Sequence, residues 1–338
     1  MYCWGLATSV GMEAQVKALT EAIAVDIRMK ELEVRPPFVW LPNMLMASGL
    51  NRWMIPLMLR PGSDKLSSPW PEMVISCGRR SAMMALGLQP YLRAQTRSLR
   101  RAGDSDNGNF RTRFVHIQDP QVNPAHFDLV IAMDHDKVSG SNVLHTRYAL
   151  HRITPQKLNE AAQHQAERFA AYPRPLVSVL LGGSTNKYTL TSAAMQEIIA
   201  KLRAMLASMP GSLFITPSRR TGEENIRLLQ EVFYGNPNVY IYDGSGSNPY
   251  LAMLALADSI VVSNDSVNMM SEAAATGKPL YPLLLPGHSG TKPARFCEKL
   301  LAEGTMRLWS GNWQRWDYDI KGEMRQLAEM VKQRLQIP

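Results

Sequence analysis

Short apolar runs alternate along the chain with stretches whose apolar residues recur at helical spacing. Tyr2 to Ala7 reads as a strand and Met12 to Ala24 as a helix, with Thr8-Ser9-Val10-Gly11 as the turn between them. A buried strand is expected over Met73 to Ser76, a helix opening over Ser81 to Leu88, and further strands over Phe114 to Ile117 and Leu129 to Met133. Strands that alternate with helices imply a parallel sheet covered by those helices. A polar helix over Ala161 to Ala171 then ends at Tyr172-Pro173-Arg174-Pro175. Proline lacks the N–H that a helix needs, so this pair makes a stiff connector.

A second alternation starts at once. Strands are expected over Leu176 to Leu181, Ser212 to Thr216, Val239 to Tyr242, Ser259 to Val262 and Leu280 to Leu283. The helices between them cover Ser192 to Met209, Asn225 to Phe233, Pro249 to Ala257 and Val267 to Ala275, the last stopped by Gly277-Lys278-Pro279. Met324, Leu327, Ala328, Val331 and Leu335 give the tail the pattern of an amphipathic helix. The expected organisation is therefore a Rossmann-like domain over 1–172, a second over 176–315, and a terminal helix over 316–338 that packs back on the first domain. An internal echo supports two related halves: Ile75-Ser76-Cys77-Gly78-Arg79-Arg80-Ser81 resembles Ile215-Thr216-Pro217-Ser218-Arg219-Arg220-Thr221.

The length of 338 residues agrees with two domains. No basic leader precedes the first strand, and no uninterrupted apolar stretch approaches the ~18 residues of a membrane span. Cys3, Cys77 and Cys297 are too scattered for a disulfide framework, which suits a reducing, cytoplasmic setting. The net charge is +8, and six arginines against two aspartates lie between Arg93 and Arg113. Phe110 is the only aromatic residue among them, which disfavours nucleic acid as the partner. Residues 38–60 are apolar but interrupted by Pro42, Asn43, Asn51, Arg52 and Pro56, so they form either a core helix or a surface resting on a membrane. Together with the basic 93–113 stretch they would suit anionic headgroups, and peripheral association with the inner face of a membrane is expected.

Five strand ends carry candidate chemistry. Gly182-Gly183-Ser184 lies between a strand and a helix, where backbone N–H groups can face a phosphate. The pattern is neither the dinucleotide fingerprint nor a P-loop. Ser218-Arg219-Arg220-Thr221 offers guanidinium forks for phosphate oxygens, or a cap with two solvated arginines. Asp265-Ser266 enters a helix on which Glu272 follows Asn268 by one turn, so Glu272 can accept both hydroxyls of a ribose, or simply face water. The loop from Tyr242 to Tyr250 could meet a base edge or carry no ligand. In the first half, Asp134-His135-Asp136 follows a strand, and His135 is a candidate general base.

These segments, with Gly11-Met12-Glu13-Ala14-Gln15, Ile117-Gln118-Asp119-Pro120 and Gly140-Ser141-Asn142-Val143, resemble bacterial members of the family named after a plant mitochondrial fission factor, the "elongated mitochondria" protein. That family is similar to two-domain glycosyltransferases of the GT-B architecture, in which two Rossmann-like domains with parallel sheets face a central cleft. The resemblance implies a transferase whose nucleotide-diphosphate sugar is a substrate, with no cofactor; arginines and helix N-termini are expected to serve in place of a metal, and segment 38–60 points to a membrane-associated acceptor. It maps the ribose to Glu272 and the pyrophosphate to Gly182, Gly183 and Ser184; the residues themselves add Ser218, Arg219, Arg220, Asp265 and Ser266 as candidate phosphate contacts. Gly11, Gly78, Arg79, Arg80, Asp134 and Asn142 are expected on the acceptor side, with His135 and Asp119 as candidate bases. The alternative it implies is a non-catalytic membrane recruitment protein that keeps the fold.

Overall fold

A computed structural model describes residues 1–36, 38, 55–101, 111–287, 290–318 and 322–337. The chain divides into two compact units: Met1–Arg152 with Gly322–Pro338, and Ile153–Lys321.

Unit 1 is built on a parallel sheet in the order β2-β1-β3-β4-β5-β6. Its strands are β1 (Tyr2–Leu6), β2 (Asp26–Met29), β3 (Met73–Cys77), β4 (Arg113–Ile117), β5 (Leu129–Met133) and β6 (Val143–Thr146). β3 and β5 are buried at every position, as central strands of a sheet covered on both faces must be. Successive side chains alternate between two cores. Trp4, Val74, Phe114 and Val130 face one side, where helix α3 (Arg79–Arg101) packs. Cys3, Ile75, Val115 and Ile131 face the other, against α1 (Val10–Ala22) and the last helix, α10 (Glu323–Leu335). Ser9 caps α1 by accepting from the amide of Met12 at 3.4 Å. α10 buries Leu327, Ala328, Val331 and Leu335 in that second core, and its Glu323 carboxylate accepts from the amide of Arg147 at 2.8 Å. A short helix, α2 (Ile55–Met58), buries Ile55 and Met58 and leaves Leu57 67% exposed.

Unit 2 is a parallel sheet in the order β11-β10-β7-β8-β9. It comprises β7 (Leu176–Leu181), β8 (Ser212–Pro217), β9 (Val239–Ile241), β10 (Ser259–Ser263) and β11 (Leu280–Leu283). Its helices are α4 (Pro155–Phe169), α5 (Ser192–Ala207), α6 (Glu223–Val232), α7 (Tyr250–Leu256), α8 (Val267–Ala274) and α9 (Lys292–Ala302).

Three differences from the sequence reading have physical causes. The units part at Arg152 rather than at the Tyr172–Pro175 connector. α4 packs on α7, and its Phe169 ring lies 4.6 Å from Phe214 and 5.2 Å from Tyr240, which ties it to unit 2. β2 and β6 were not anticipated, because they are four-residue edge strands with little apolar content to mark them. The basic stretch begins as helix: α3 runs to Arg101 despite Pro90 within it. Residues 102–110 of that stretch and 39–54 of the apolar segment lie outside the described residues. Among the described residues, no helix is long and apolar enough to cross a membrane.

The seating of α10 is testable. Leu327→Ala removes a 1%-exposed side chain from the second core of unit 1 and is expected to cost about 2–5 kcal/mol, read from urea unfolding followed by circular dichroism.

Candidate functional site

In unit 2 the chain runs outward from β7 through β8 to β9 and then returns to β10 on the other side of β7. The loops after β7 and β10 therefore leave in opposite directions, and ligands of such sheets bind at the carboxyl ends beside this point. The loops there are drawn together by one carboxylate. Asp265 is buried, with a side chain 0% exposed. It accepts from the Ser263 hydroxyl at 2.6 Å and from the Gly183 amide at 3.3 Å, and it pairs with the Arg220 guanidinium at 2.7 Å. Ser263 in turn accepts from the Gly182 amide at 2.7 Å. Thr221 donates to the Gly182 carbonyl at 2.6 Å, and the Ser184 amide donates to the Arg220 carbonyl at 2.9 Å.

This knot revises the reason for the glycines. A Cβ on Gly182 would stand 2.0 Å from the Asp265 carboxylate, and one on Gly183 would stand 2.0 Å from the Arg220 carbonyl oxygen. Internal packing alone demands both glycines, with or without a phosphate beside them. Arg220 is likewise committed to Asp265, while Arg219, exposed as Arg220 is, makes no ion pair among the described residues.

Arg219 lines a cavity of about 440 Å³ at the ends of β7, β8 and β9. Ser218, Tyr242, Asn248, Tyr250 and Met269 also border it. Ser218 accepts from the Arg220 amide at 3.2 Å, and Ser266 caps α8 by accepting from the Met269 amide at 3.3 Å. Ser184 is exposed, and its hydroxyl oxygen accepts from the Leu190 amide at 3.0 Å. On α8 the half-buried Glu272 accepts a hydrogen bond of 2.6 Å from the Tyr250 hydroxyl. Burial pushes the Glu272 carboxyl above its ordinary range, opposed in part by that bond. Burial and the neighbouring carboxylate push the Tyr250 hydroxyl up as well. Sequence reasoning had Tyr250 only as the end of a loop. Its pairing with Glu272 spans 22 positions and has no local signal.

Unit 1 brings its candidates to the carboxyl ends of its own strands, in separate places. Gly78 takes φ +84° before α3, and a Cβ there would meet Met12 of α1 at 2.6 Å. Arg79 and Arg80 open α3 and are exposed; Gly11 lies in the first turn of α1. Asp119 follows β4 and closes a tight turn, accepting from the Gln121 amide at 2.8 Å. Asp134 and His135 follow β5; His135 Nε2 lies 3.9 Å from the Asp136 carboxylate, whose side chain is 2% exposed. Asn142 donates to the carbonyls of Pro124 and Phe127, both at 2.8 Å, and so braces the loop between β4 and β5.

A family model described as Mitochondrial fission ELM1 matches residues 10–335. The mitochondrial fission protein ELM1 of Arabidopsis thaliana is 30% identical over 291 residues, which are 78% of this chain and 64% of the plant protein. The chain thus spans a little under two thirds of that relative's length. An uncharacterized protein of Rickettsia prowazekii is 25% identical over 315 residues, covering 81% of this chain and 82% of that one. Among solved structures, the UDP-GlcNAc 2-epimerase of Methanocaldococcus jannaschii matches with a TM-score of 0.57 at 10% identity, over 98% of this chain and 100% of that one. S. aureus MnaA, solved with UDP, matches with a TM-score of 0.54 at 10% identity, over 100% and 97%. At such identity the likeness is one of fold: two parallel-sheet Rossmann-like domains of the GT-B type.

Two outcomes test this geometry. Gly183→Ala forces apart the β7 loop and the Arg220 backbone and is expected to cost about 1–3 kcal/mol by denaturant unfolding. The second outcome concerns Glu272, whose pKa is raised in the folded state. A raised acid holds its proton more tightly when folded. Its contribution to stability is thus full below the ordinary glutamate value and is lost as pH rises through the raised one. Glu272→Gln cannot ionise, so its melting temperature should gain on the native protein's as pH rises above the ordinary glutamate range, from about pH 4; parallel curves would contradict the upward shift.

Proposed function

This chain belongs to the mitochondrial fission ELM1 family, and we propose that it binds a nucleotide-diphosphate sugar in unit 2 and transfers the sugar, as glycosyltransferases of the GT-B type do. The observation that carries this reading is the 440 Å³ cavity at the strand ends, which is lined by the exposed Arg219 and by Tyr250, the hydrogen-bond partner of Glu272. A cavity of that size, with a few convergent polar groups, suits a small ligand. Arg219 and the Ser218 hydroxyl would take the diphosphate, joined by Ser184 and by Ser266 at the positive end of α8. Gly182, Gly183, Arg220 and Asp265 would hold those groups in place from behind. Glu272, steadied by Tyr250, would accept the ribose hydroxyls, and the loop from Tyr242 to Asn248 would meet the base.

In transfer, the bond from the anomeric carbon to the diphosphate breaks and negative charge collects on the leaving oxygens. A fixed guanidinium and a helix N-terminus stabilise that charge without reorganising. The acceptor's proton would go to a base in unit 1, with His135 and Asp119 as the candidates and Gly11, Gly78, Arg79, Arg80, Asp134 and Asn142 on the acceptor side. One oxygen of Asp119 is engaged in its turn, and His135 Nε2 lies 3.9 Å from the Asp136 carboxylate.

The similarity to a plant protein named for mitochondrial fission favours a second reading, recruitment to an anionic membrane without transfer. In that case segments 38–60 and 93–113 would supply the membrane surface. Retention on anionic liposomes in flotation, with no product from any sugar nucleotide, would select it.

Calorimetry with UDP-, GDP-, ADP- and CMP-sugars tests the first reading. One of them should bind with a Kd of about micromolar order, or about −8 kcal/mol. Arg219→Ala and Glu272→Ala should each weaken it about tenfold or more. Folded protein that binds none of the four would overturn the proposal.

A further inference from the structure

Unit 1 contains a cavity of its own, larger than the one in unit 2. It encloses about 690 Å³ at the carboxyl ends of β1, β2 and β3. In this sheet β1 has β2 on one side and β3 on the other, so the chain reverses direction there and the loops after β1 and β3 diverge.

Two long helices begin at this opening. Thr8, Ser9 and Val10 at the start of α1 line it, as do Arg80 and Ser81 in the first turn of α3. The contact between Gly78 and Met12 holds those two helix starts side by side, so their positive ends converge. Most of the charged groups around the cavity are already matched. Glu13 pairs with Lys17 at 2.6 Å and Glu33 with Arg60 at 3.5 Å. Lys30 donates to the Lys65 carbonyl at 2.9 Å and lies 4.8 Å from the centre of the Trp4 ring. Arg80 is exposed and has no ion pair among the described residues. Glu31 lies beyond β2, two strand spacings or roughly 10 Å from the β3 side.

The decisive group is Ser81. It is 2% exposed, it lines the cavity, and its hydroxyl has no hydrogen-bond partner. Buried hydroxyls are rarely left in that state without a reason. Rotation about one bond turns it to a ligand on the cavity floor. Beside it, Met83 and Met84 on α3 and Leu32 and Val34 beyond β2 form an apolar wall.

We propose that unit 1 carries a second ligand site, which takes a phosphate ester with an apolar body. The phosphate sits at the Arg80 guanidinium, the Ser81 hydroxyl and the two helix starts, whose several donors match its terminal oxygens. The apolar body lies along Met83, Met84 and Val34. The site shares Arg80 with the acceptor side of the proposed transferase and would deepen that reading, but its residues all lie in unit 1, so hexyl phosphate binding can hold or fail apart from nucleotide binding in unit 2.

Titration calorimetry of the full chain with n-hexyl phosphate tests the site. The native protein is expected to bind it saturably at one site, with hexanol and inorganic phosphate each about tenfold weaker or worse. Arg80→Gln should weaken hexyl phosphate about tenfold with an unchanged melting temperature. Ser81→Ala separates the ligand role from a structural one: deleting an unpaired buried hydroxyl leaves the melting temperature equal or higher, while affinity falls severalfold. Three results would overturn the proposal: no saturable binding, affinity unchanged in Arg80→Gln, or inorganic phosphate bound as tightly as the ester.

Discussion

A charge removed from water has to be neutralised where it lies, and in unit 2 that requirement falls on Asp265. Its carboxylate has no exposed surface, and an unmatched ion there would cost several kcal/mol (of order 3–5). Ser263, the Gly183 amide and Arg220 meet the need between them. In doing so they draw three strand ends into one rigid corner. The geometry of the neighbouring cavity follows from that corner. With Arg220 held by Asp265, Arg219 is left to line the cavity. With Gly183 packed on the Arg220 backbone, the β7 loop has a single path. α8 then starts immediately after Asp265, and its second turn carries Glu272 to Tyr250. The charged residue with the least access to a ligand is therefore the one that places the groups with the most.

The two units solve the same packing problem with different strand orders. In each, a central strand starts the sheet and the chain later crosses to its other side, leaving an opening at the carboxyl ends. In unit 2 the opening between β7 and β10 is filled by the protein's own carboxylate and glycine backbone, which pushes the cavity toward β8 and β9. In unit 1 the opening beside β1 stays empty of side-chain ion pairs at Arg80 and carries an unpaired serine hydroxyl. The echoed Arg-Arg segments show the same contrast. Arg79 and Arg80 start an α-helix directly, whereas Arg219 and Arg220 form a 3-10 turn that Gly222, at φ +84°, hands on to α6.

Much of this was legible in the residues because parallel strands buried on both faces leave a strong mark. Leu129–Met133, Leu176–Leu181 and Leu280–Leu283 stand out as apolar runs between breakers, and the structure gives those bounds. The edge strands β2 and β6 do not stand out, since polar residues take half of each (DIRM and VLHT), whereas β11, also at an edge, is an apolar run. The candidate site divides the same way. Gly182, Gly183 and Asp265 sit at strand ends, and Glu272 on a helix, that periodicity locates. The sequence could not say which of them face a ligand and which face each other, because Asp265 and Gly183 lie 82 positions apart. The same limit hid the link from Tyr250 to Glu272 and placed the unit boundary at a proline pair instead of at Arg152.

The return of α10 to unit 1 also bears on the order in which the chain matures. Every core residue of unit 2 lies in one continuous stretch, from Ile153 to Lys321. The second core of unit 1 combines Val16, Leu19 and Ile131 with Leu327, Val331 and Leu335. On the ribosome, one face of the sheet that is made first therefore waits only partly covered, by α1, until residues beyond Gly322 emerge, by which time unit 2 has its full complement of strands and helices. The half that is translated earlier is the half that closes last.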